Sequence, residues 1–449
     1  MHIFFYNVFL WFYATAIRIV ALWNPKARLW RDGRKGLLEK LETALASPEN
    51  GKPGDSKKVD ESGDVPTTHD SPLTIWMHCA SLGEFEQGRP LLESIRLQYP
   101  GCRIVLTFFS PSGYEIRKDY KGADYVCYLP MDSRKNARRF INIFKPSLVL
   151  WVKYEYWYYY LAELKRQQVP TLLISGIFRK SQPFFTWYGR LHRYMLDCFT
   201  HIFVQNAQSV ELLTGIGVKK NVSIGGDTRF DRVITIAEQF EDIEPIKAFC
   251  GNHPVIVAGS TWAEDEEEID HYANTHPDTR FIIAPHMIDE EHLRDIEKLF
   301  KYTVRFSKLR ESGYQLPVTG NQHPVTCNTL IIDNIGMLSR LYKYATITYV
   351  GGGFGEDGIH NILEAAVYGK PVVFGPEYDK YAEAIDLVEA KGAFSVSNAL
   401  ELEQIFNKLM EDNQLYRSSC SAAYDYVYAS KGATAMIMEY IQEKRLLTN

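Results

Sequence analysis

Cysteine motifs are missing from this chain. Its seven cysteines (Cys79, Cys102, Cys127, Cys198, Cys250, Cys327 and Cys420) are scattered without a CxxC pair. That speaks against a zinc site and a disulfide framework, and it fits a reducing, cytoplasmic setting. A basic excess is missing too. The 50 Lys and Arg stand against 55 Asp and Glu, a net charge of −5, so a general nucleic-acid binder is not expected. No internal repeat and no convincing cluster of metal ligands is evident, and long apolar runs are scarce. What is present in quantity is core. Of 449 residues, 46% are hydrophobic and 23% charged, the composition of a soluble globular protein of two or three domains.

The long apolar run runs from Ile3 to Trp23, interrupted mainly by Asn7 and Arg18. It is about the length needed to span a bilayer, roughly 20 residues. The basic cluster Lys26, Arg28, Arg31, Arg34 and Lys35 would hold the following chain on the cytoplasmic side. An equally good reading is a helix lying in the interface, with aromatic residues at headgroup level and basic residues on anionic lipid. A helix buried against the first domain is the plainest alternative. A secretory leader fits less well, because no basic stretch precedes the run and no small-residue cleavage site follows. Residues 1–36 are read as a membrane-associated helix with a basic flank. Residues 46–72, rich in Ser, Pro, Gly, Asp and Lys, read as a flexible linker or loop.

From Leu73 onward, short apolar runs alternate with helical stretches. Strands are expected at Leu73–Ala80, Ile104–Thr107, Tyr125–Leu129, Leu148–Val152, Thr171–Ser175 and His201–Gln205. A second series begins at Val255–Gly259 and continues at Phe281–Ala284 and Thr329–Ile332. This alternation means parallel sheets covered on both faces. Two α/β domains follow, 73–232 and 252–417, with the break between Arg232 and Asn252. Residues 418–449 are helical in pattern and expected to pack back on the first domain. Ligands of such sheets lie at the carboxyl ends of the strands, where Glu84, Ser110 and Glu155 fall. The acidic run Glu264 to Glu268 reads as a solvated helix start.

The most informative stretch runs from Thr348 to Pro376: a strand ending at Val350, then Gly351, Gly352, Gly353, Gly355 and Gly358, then a helical pattern from Ile359 to Gly369, then a strand over Pro371–Phe374. Such a loop lets backbone N–H groups approach an anion, and a helix N-terminus favours phosphate. His360 and Asn361 are expected in the first helical turn, with donors for phosphate. Glu364, one turn on, can accept from sugar hydroxyls. The plainer alternative is a tight turn whose glycines serve packing alone.

Two segments together carry a family resemblance. HCASLGEFEQGRPLL (His78 to Leu92) with LTFFSPSGYE (Leu106 to Glu115), and YVGGGFGEDGIHNILEAAVYGKPVVFGP (Tyr349 to Pro376), resemble the two signatures of the 3-deoxy-D-manno-octulosonic acid (Kdo) transferases. VQNAQS (Val204 to Ser209), GGDTRFD (Gly225 to Asp231) and GSTWAEDE (Gly259 to Glu266) fall between them in the right order. The resemblance implies a GT-B glycosyltransferase, two Rossmann-like doubly wound domains facing across a cleft, that moves Kdo from CMP-Kdo onto a lipid A precursor at the cytoplasmic face of the inner membrane. It also implies independence of metal and of any other cofactor.

Transfer from a sugar nucleotide needs a held phosphate and a base for the acceptor hydroxyl. Glu84 is the candidate base, a carboxylate on a glycine turn at a strand end that tends to stay ionised there. The resemblance gives the glutamate of this motif the same role, and an ordinary first-turn glutamate is the alternative. Donor contacts are expected from Gly352, Gly353, Gly355, Gly358, His360, Asn361, Glu364, His286 and Arg229. Acceptor contacts are expected from Ser81, Ser110, Glu155, Arg28, Arg31 and Arg34. Competing readings are another membrane-bound GT-B enzyme using a UDP-sugar, and a sugar-nucleotide-binding scaffold without catalysis.

Overall fold

The computed structural model describes residues 2–46, 73–153, 155–311, 313, 318–319, 325–356 and 358–447. The expected linker therefore lies almost wholly outside the described residues. The chain divides into two units, one of residues 1–229 with 432–449 and one of 230–431.

The first unit is built on seven parallel strands: β1 (Thr74–Cys79), β2 (Arg103–Phe108), β3 (Tyr125–Tyr128), β4 (Leu148–Val152), β5 (Thr171–Gly176), β6 (His201–Val204) and β7 (Val222–Ile224). Their order is β3-β2-β1-β4-β5-β6-β7. The order reverses between β1 and β4, which makes the carboxyl ends of those two strands the crevice of a doubly wound sheet. Strand side chains alternate between faces, so each strand feeds two cores. Trp76, Val105, Val149 and Trp151 pack on one side, and Ile75, Met77, Leu106 and Leu150 on the other.

The second unit repeats the plan with β8 (Val255–Thr261), β9 (Arg280–Pro285), β10 (Thr303–Arg305), a small hairpin of β11 (Val318–Thr319) and β12 (Val325–Thr326), then β13 (Thr329–Ile331), β14 (Ile347–Val350), β15 (Val372–Phe374) and β16 (Ala393–Ser395). The sheet order is β10-β13-β9-β8-β14-β15-β16, and its pairs are parallel. Here the reversal falls between β8 and β14, so the glycine loop after β14 sits at the second crevice.

Three details differ from the sequence reading. The stretch expected to join the domains is helical, Thr228–Glu238 and Glu244–Cys250, and the units part at Arg229. The return to the first unit starts at Gly432: the helix Asn413–Ala429 stays with the second unit, while Ile437, Met438 and Ile441 of the helix Ala433–Glu443 enter the first unit's core. Three short strands, β7, β10 and β16, have no clear apolar run of their own. Strands of three residues give too few alternations to be read from pattern.

Candidate functional site

At the first crevice the turn after β1 is stitched by its own side chains. Ser81 caps the helix Leu82–Gln98 by accepting from the Glu84 N–H at 3.5 Å, and the Glu84 carboxylate folds back to accept from the Ala80 N–H. The spacing is that of a capping box, S-x-x-E, but the carboxylate accepts from the residue before the cap instead of from Ser81 itself. The Ala80 carbonyl accepts from the Ser110 N–H at 2.7 Å, so Glu84 and Ser110 both bond the backbone of one residue. Glu84 is 7% exposed. Ser110 itself caps the helix Pro111–Arg117.

Beyond β4, Glu155 is held by two rings. Trp157 Nε1 donates to its Oε2 at 3.0 Å, and His78 Nε2 lies 3.4 Å from the same oxygen. His78 is fully buried, and its Nδ1 meets Thr107 Oγ1 at 2.9 Å. Thr107 Oγ1 in turn accepts from Trp76 Nε1. A buried polar chain thus runs from Trp76 and Thr107 through His78 to the carboxylate at the strand end. The motif reading of His78 to Leu92 assigns His78 no role. Its position, inward on a strand between apolar neighbours, was the available signal.

The predicted basic acceptor contacts divide. Arg34 is committed to the protein: Nε, Nη1 and Nη2 donate to the carbonyls of Leu129, Trp30 and Phe109, and the guanidinium lies 4.0 Å from the Trp30 ring centre. Burial pushes its pKa down to about 10. It closes carbonyls rather than waiting for a phosphate. Arg28 donates to the carbonyls of Ala21 and Leu22 at the end of the first helix. Arg31 pairs with its neighbour Asp32 at 2.9 Å. Arg229 belongs to the first unit and is paired with Asp227 at 2.8 Å, a buried carboxylate that also accepts from Gln87 and Gln205.

In the second unit the glycine loop is organised from below by Asp265. Its carboxylate accepts from the Gly352 N–H at 2.8 Å, the Trp262 N–H at 2.9 Å and the Tyr349 hydroxyl at 2.7 Å. Burial pushes its pKa up against these bonds. Glu266 is also buried, bonded to Thr261 at 2.7 Å and to His292 at 3.0 Å. The acidic run is therefore not a solvated helix start. Asp265 and Glu266 face inward, while Glu264 and Glu267 are exposed.

The glycines divide between conformation and packing. Gly352 and Gly358 hold φ of +91° and +84°, where a side chain strains the backbone. A Cβ on Gly353 would lie 2.7 Å from the backbone of Gly375, so that glycine serves close passage of two loops. Gly355 has only the Gly352 carbonyl near it. The helix expected from Ile359 shrinks to a single turn, Leu363–Ala366. The preceding residues pair elsewhere, Ile359 N–H with the Glu377 carbonyl and His360 N–H with that of Gly351. His360 and Asn361 thus lie before the helix, and a full helix dipole is not on offer. The amides of Gly352 and Gly355 are also spent inside the loop.

Above the loop stand three rings. Trp262 stacks on His286 at 4.5 Å, and His286 on His360 at 4.6 Å. Trp262 Nε1 donates to His360 Nε2 at 3.2 Å, so that nitrogen carries a lone pair and the ring proton is on Nδ1. Burial lowers the pKa of His286. Asn361 Nδ2 donates to Glu364 Oε1 at 3.1 Å, and its Oδ1 accepts from the Leu363 N–H. The structure therefore brings His286, His360 and the glycines together, with Asn361 joined to Glu364. Trp262 and Asp265, both missed, complete the group. No cluster able to hold a metal ion occurs among the described residues.

A family model described as 3-deoxy-D-manno-octulosonic-acid transferase (kdotransferase) matches residues 48–232. The 3-deoxy-D-manno-octulosonic acid transferase of Haemophilus influenzae is 25% identical over 383 residues, covering 83% of this chain and 87% of the relative. That of Aquifex aeolicus is 28% identical over 343 residues, covering 75% and 86%. Among solved structures, the UDP-GlcNAc 2-epimerase of Neisseria meningitidis shares the fold, with a TM-score of 0.58 at 17% identity over 83% of this chain and all of that one.

Proposed function

We propose that this chain, similar to Kdo transferases over most of its length, transfers Kdo from CMP-Kdo to a lipid A precursor of the lipid IVA type. The transfer inverts the anomeric centre, requires no metal, and takes place at the cytoplasmic face of the inner membrane. The observation that carries this reading is the placement of Glu84: a buried carboxylate at the carboxyl end of β1, on the switch point of the first sheet.

In the proposed reaction the acceptor hydroxyl oxygen forms the new bond to the anomeric carbon and gives its proton to Glu84. The bond from that carbon to the phosphate oxygen breaks, and CMP leaves with the electron pair. Ser81 and Ser110 offer hydroxyls beside the carboxylate, and Glu155, oriented by His78 and Trp157, binds acceptor hydroxyls. On the donor side, His360 Nδ1–H, His286 and Asn361 meet the phosphate, and Glu364 the ribose; fixed donors placed where charge develops are what CMP needs as a leaving group. Arg229, a residue of the first unit, is already paired with Asp227. The outward apolar face of the first helix supports a membrane-bound acceptor.

The test is incubation of the purified protein with CMP-Kdo and lipid IVA, followed by mass spectrometry of the lipid. The expected result is a lipid heavier by whole Kdo units, in the presence of a chelator. CMP, not UDP, should raise the melting temperature, since a ligand at 100 times its Kd stabilises by about 2.7 kcal/mol. Stabilisation by UDP alone would move the reading to a UDP-sugar enzyme.

A further inference from the structure

The first helix, His2–Val20, is long and apolar enough to cross a bilayer, and 19 residues reach roughly 28 Å. One of its faces, however, is already occupied. The Tyr6 hydroxyl donates to Asp132 at 2.6 Å and accepts from the Tyr158 N–H at 3.2 Å. Asn7 accepts from the Tyr159 hydroxyl at 2.8 Å. Leu10 is buried, Tyr13 packs on Trp30 and Phe109, and Ala21 is buried just past the helix end. Tyr6, Leu10, Tyr13 and Ala21 follow each other at helical spacing, so the docked stripe runs almost end to end.

A helix crossing the hydrocarbon must be wrapped by lipid or by other membrane-embedded segments. This one is fastened lengthwise to a water-soluble α/β unit, and crossing would strip Tyr6 from a buried carboxylate. The opposite face carries Phe4, Phe5, Phe9, Trp11, Phe12, Ile19, Leu22 and Trp23, each more than half exposed. Charge matches that face to an anionic surface. The first 40 residues hold seven Lys or Arg and two Asp or Glu, +7 − 2 = +5, in a chain of net −5, which leaves −10 for the rest.

We propose that the helix lies in one leaflet, parallel to the membrane, and never crosses it; its partner is an anionic lipid surface, a proposal that rests on the membrane placement given under the proposed function. Both ends of the helix are then on the same side as the enzyme body.

Nitroxides introduced through Phe4→Cys, Trp11→Cys and Leu22→Cys, in the full chain with Cys420→Ser, report depth in vesicles of phosphatidylglycerol and phosphatidylethanolamine. Equal depths at the three positions are expected. A run from one interface through the midplane to the other would overturn the proposal. In intact spheroplasts, a His2→Cys thiol should resist an impermeant maleimide and react only after permeabilisation; reaction from outside overturns it. Trp11→Glu with Leu22→Glu, both on the exposed face, should release the protein into the supernatant at unchanged melting temperature. Retention on the membrane overturns the assignment of that face. None of these readouts involves sugar transfer, so an inactive protein counts against the proposed function while the depth result still stands.

Discussion

The two crevices share a scaffold and are finished differently. At the end of β1 and β4 the carboxylates of Glu84 and Glu155 stand at the strand ends, each steered by neighbouring donors. At the end of β8 and β14 the carboxylate of Asp265 is driven beneath the loop, and a stack of Trp262, His286 and His360 rings stands in its place. A carboxylate can take a proton from a hydroxyl but repels phosphate. Imidazole N–H groups can donate to phosphate oxygens. Under the proposed function the same topology would serve proton chemistry in one unit and anion binding in the other, and the structural difference lies in which way one or two acidic side chains turn.

The sharpest way to break this contrast is Glu84→Ala. Transfer should fall by about 10²–10⁴-fold while the melting shift with CMP stays; unchanged turnover in a product assay would remove the base from the first crevice. Next in size is Asp265→Ala, which strands two amides and a buried tyrosine hydroxyl. At 1–3 kcal/mol for each orphaned group, the loss is about 3 kcal/mol or more, read by chemical denaturation, together with loss of the CMP shift. An exposed carboxylate would give neither effect. His360→Ala should weaken CMP by roughly tenfold to a hundredfold in calorimetry with little change in stability. Equal affinity would leave the ring stack a packing feature.

The smallest effect concerns Asp132, under the first helix. Burial raises its pKa to about 6, above the unfolded value of about 4. The folded state therefore holds a proton that the unfolded state has lost between those limits. Stability from this group is full below about pH 4 and declines as pH rises to about 6. Asp132→Asn should flatten that part of the stability–pH profile; an unaltered slope between pH 4 and 6 would contradict the assignment.

Much of the plan was legible from local pattern. The strands β1, β4, β5 and β8 are apolar runs bounded by turn residues, and Glu84 was marked by its place on a glycine turn at a strand end. The glycine loop announced itself through composition. Legibility failed where a side chain's fate depends on distant chain. Asp265 and Glu264 are adjacent acids in one helical turn, and nothing local says which of them meets Tyr349 and Gly352. The helix expected from Ile359 has the right periodicity, yet Glu377 and Gly351, remote or across a tight loop, capture the backbone bonds it needed. Arg34 read as a free cation because the carbonyls that take it come from residues 109 and 129.

By itself the sequence determined two parallel α/β units, a resemblance to the Kdo transferases, the glycine loop and an apolar first helix, because periodicity, composition and motif spacing are all local quantities. Only the tertiary structure decided which acids are buried, which arginines are already spent, and that one face of the first helix is packed while the other is exposed. Those outcomes turn on long-range partners such as Asp132 for Tyr6. A hydrogen bond spanning 126 positions leaves no trace in the residues on either side of it.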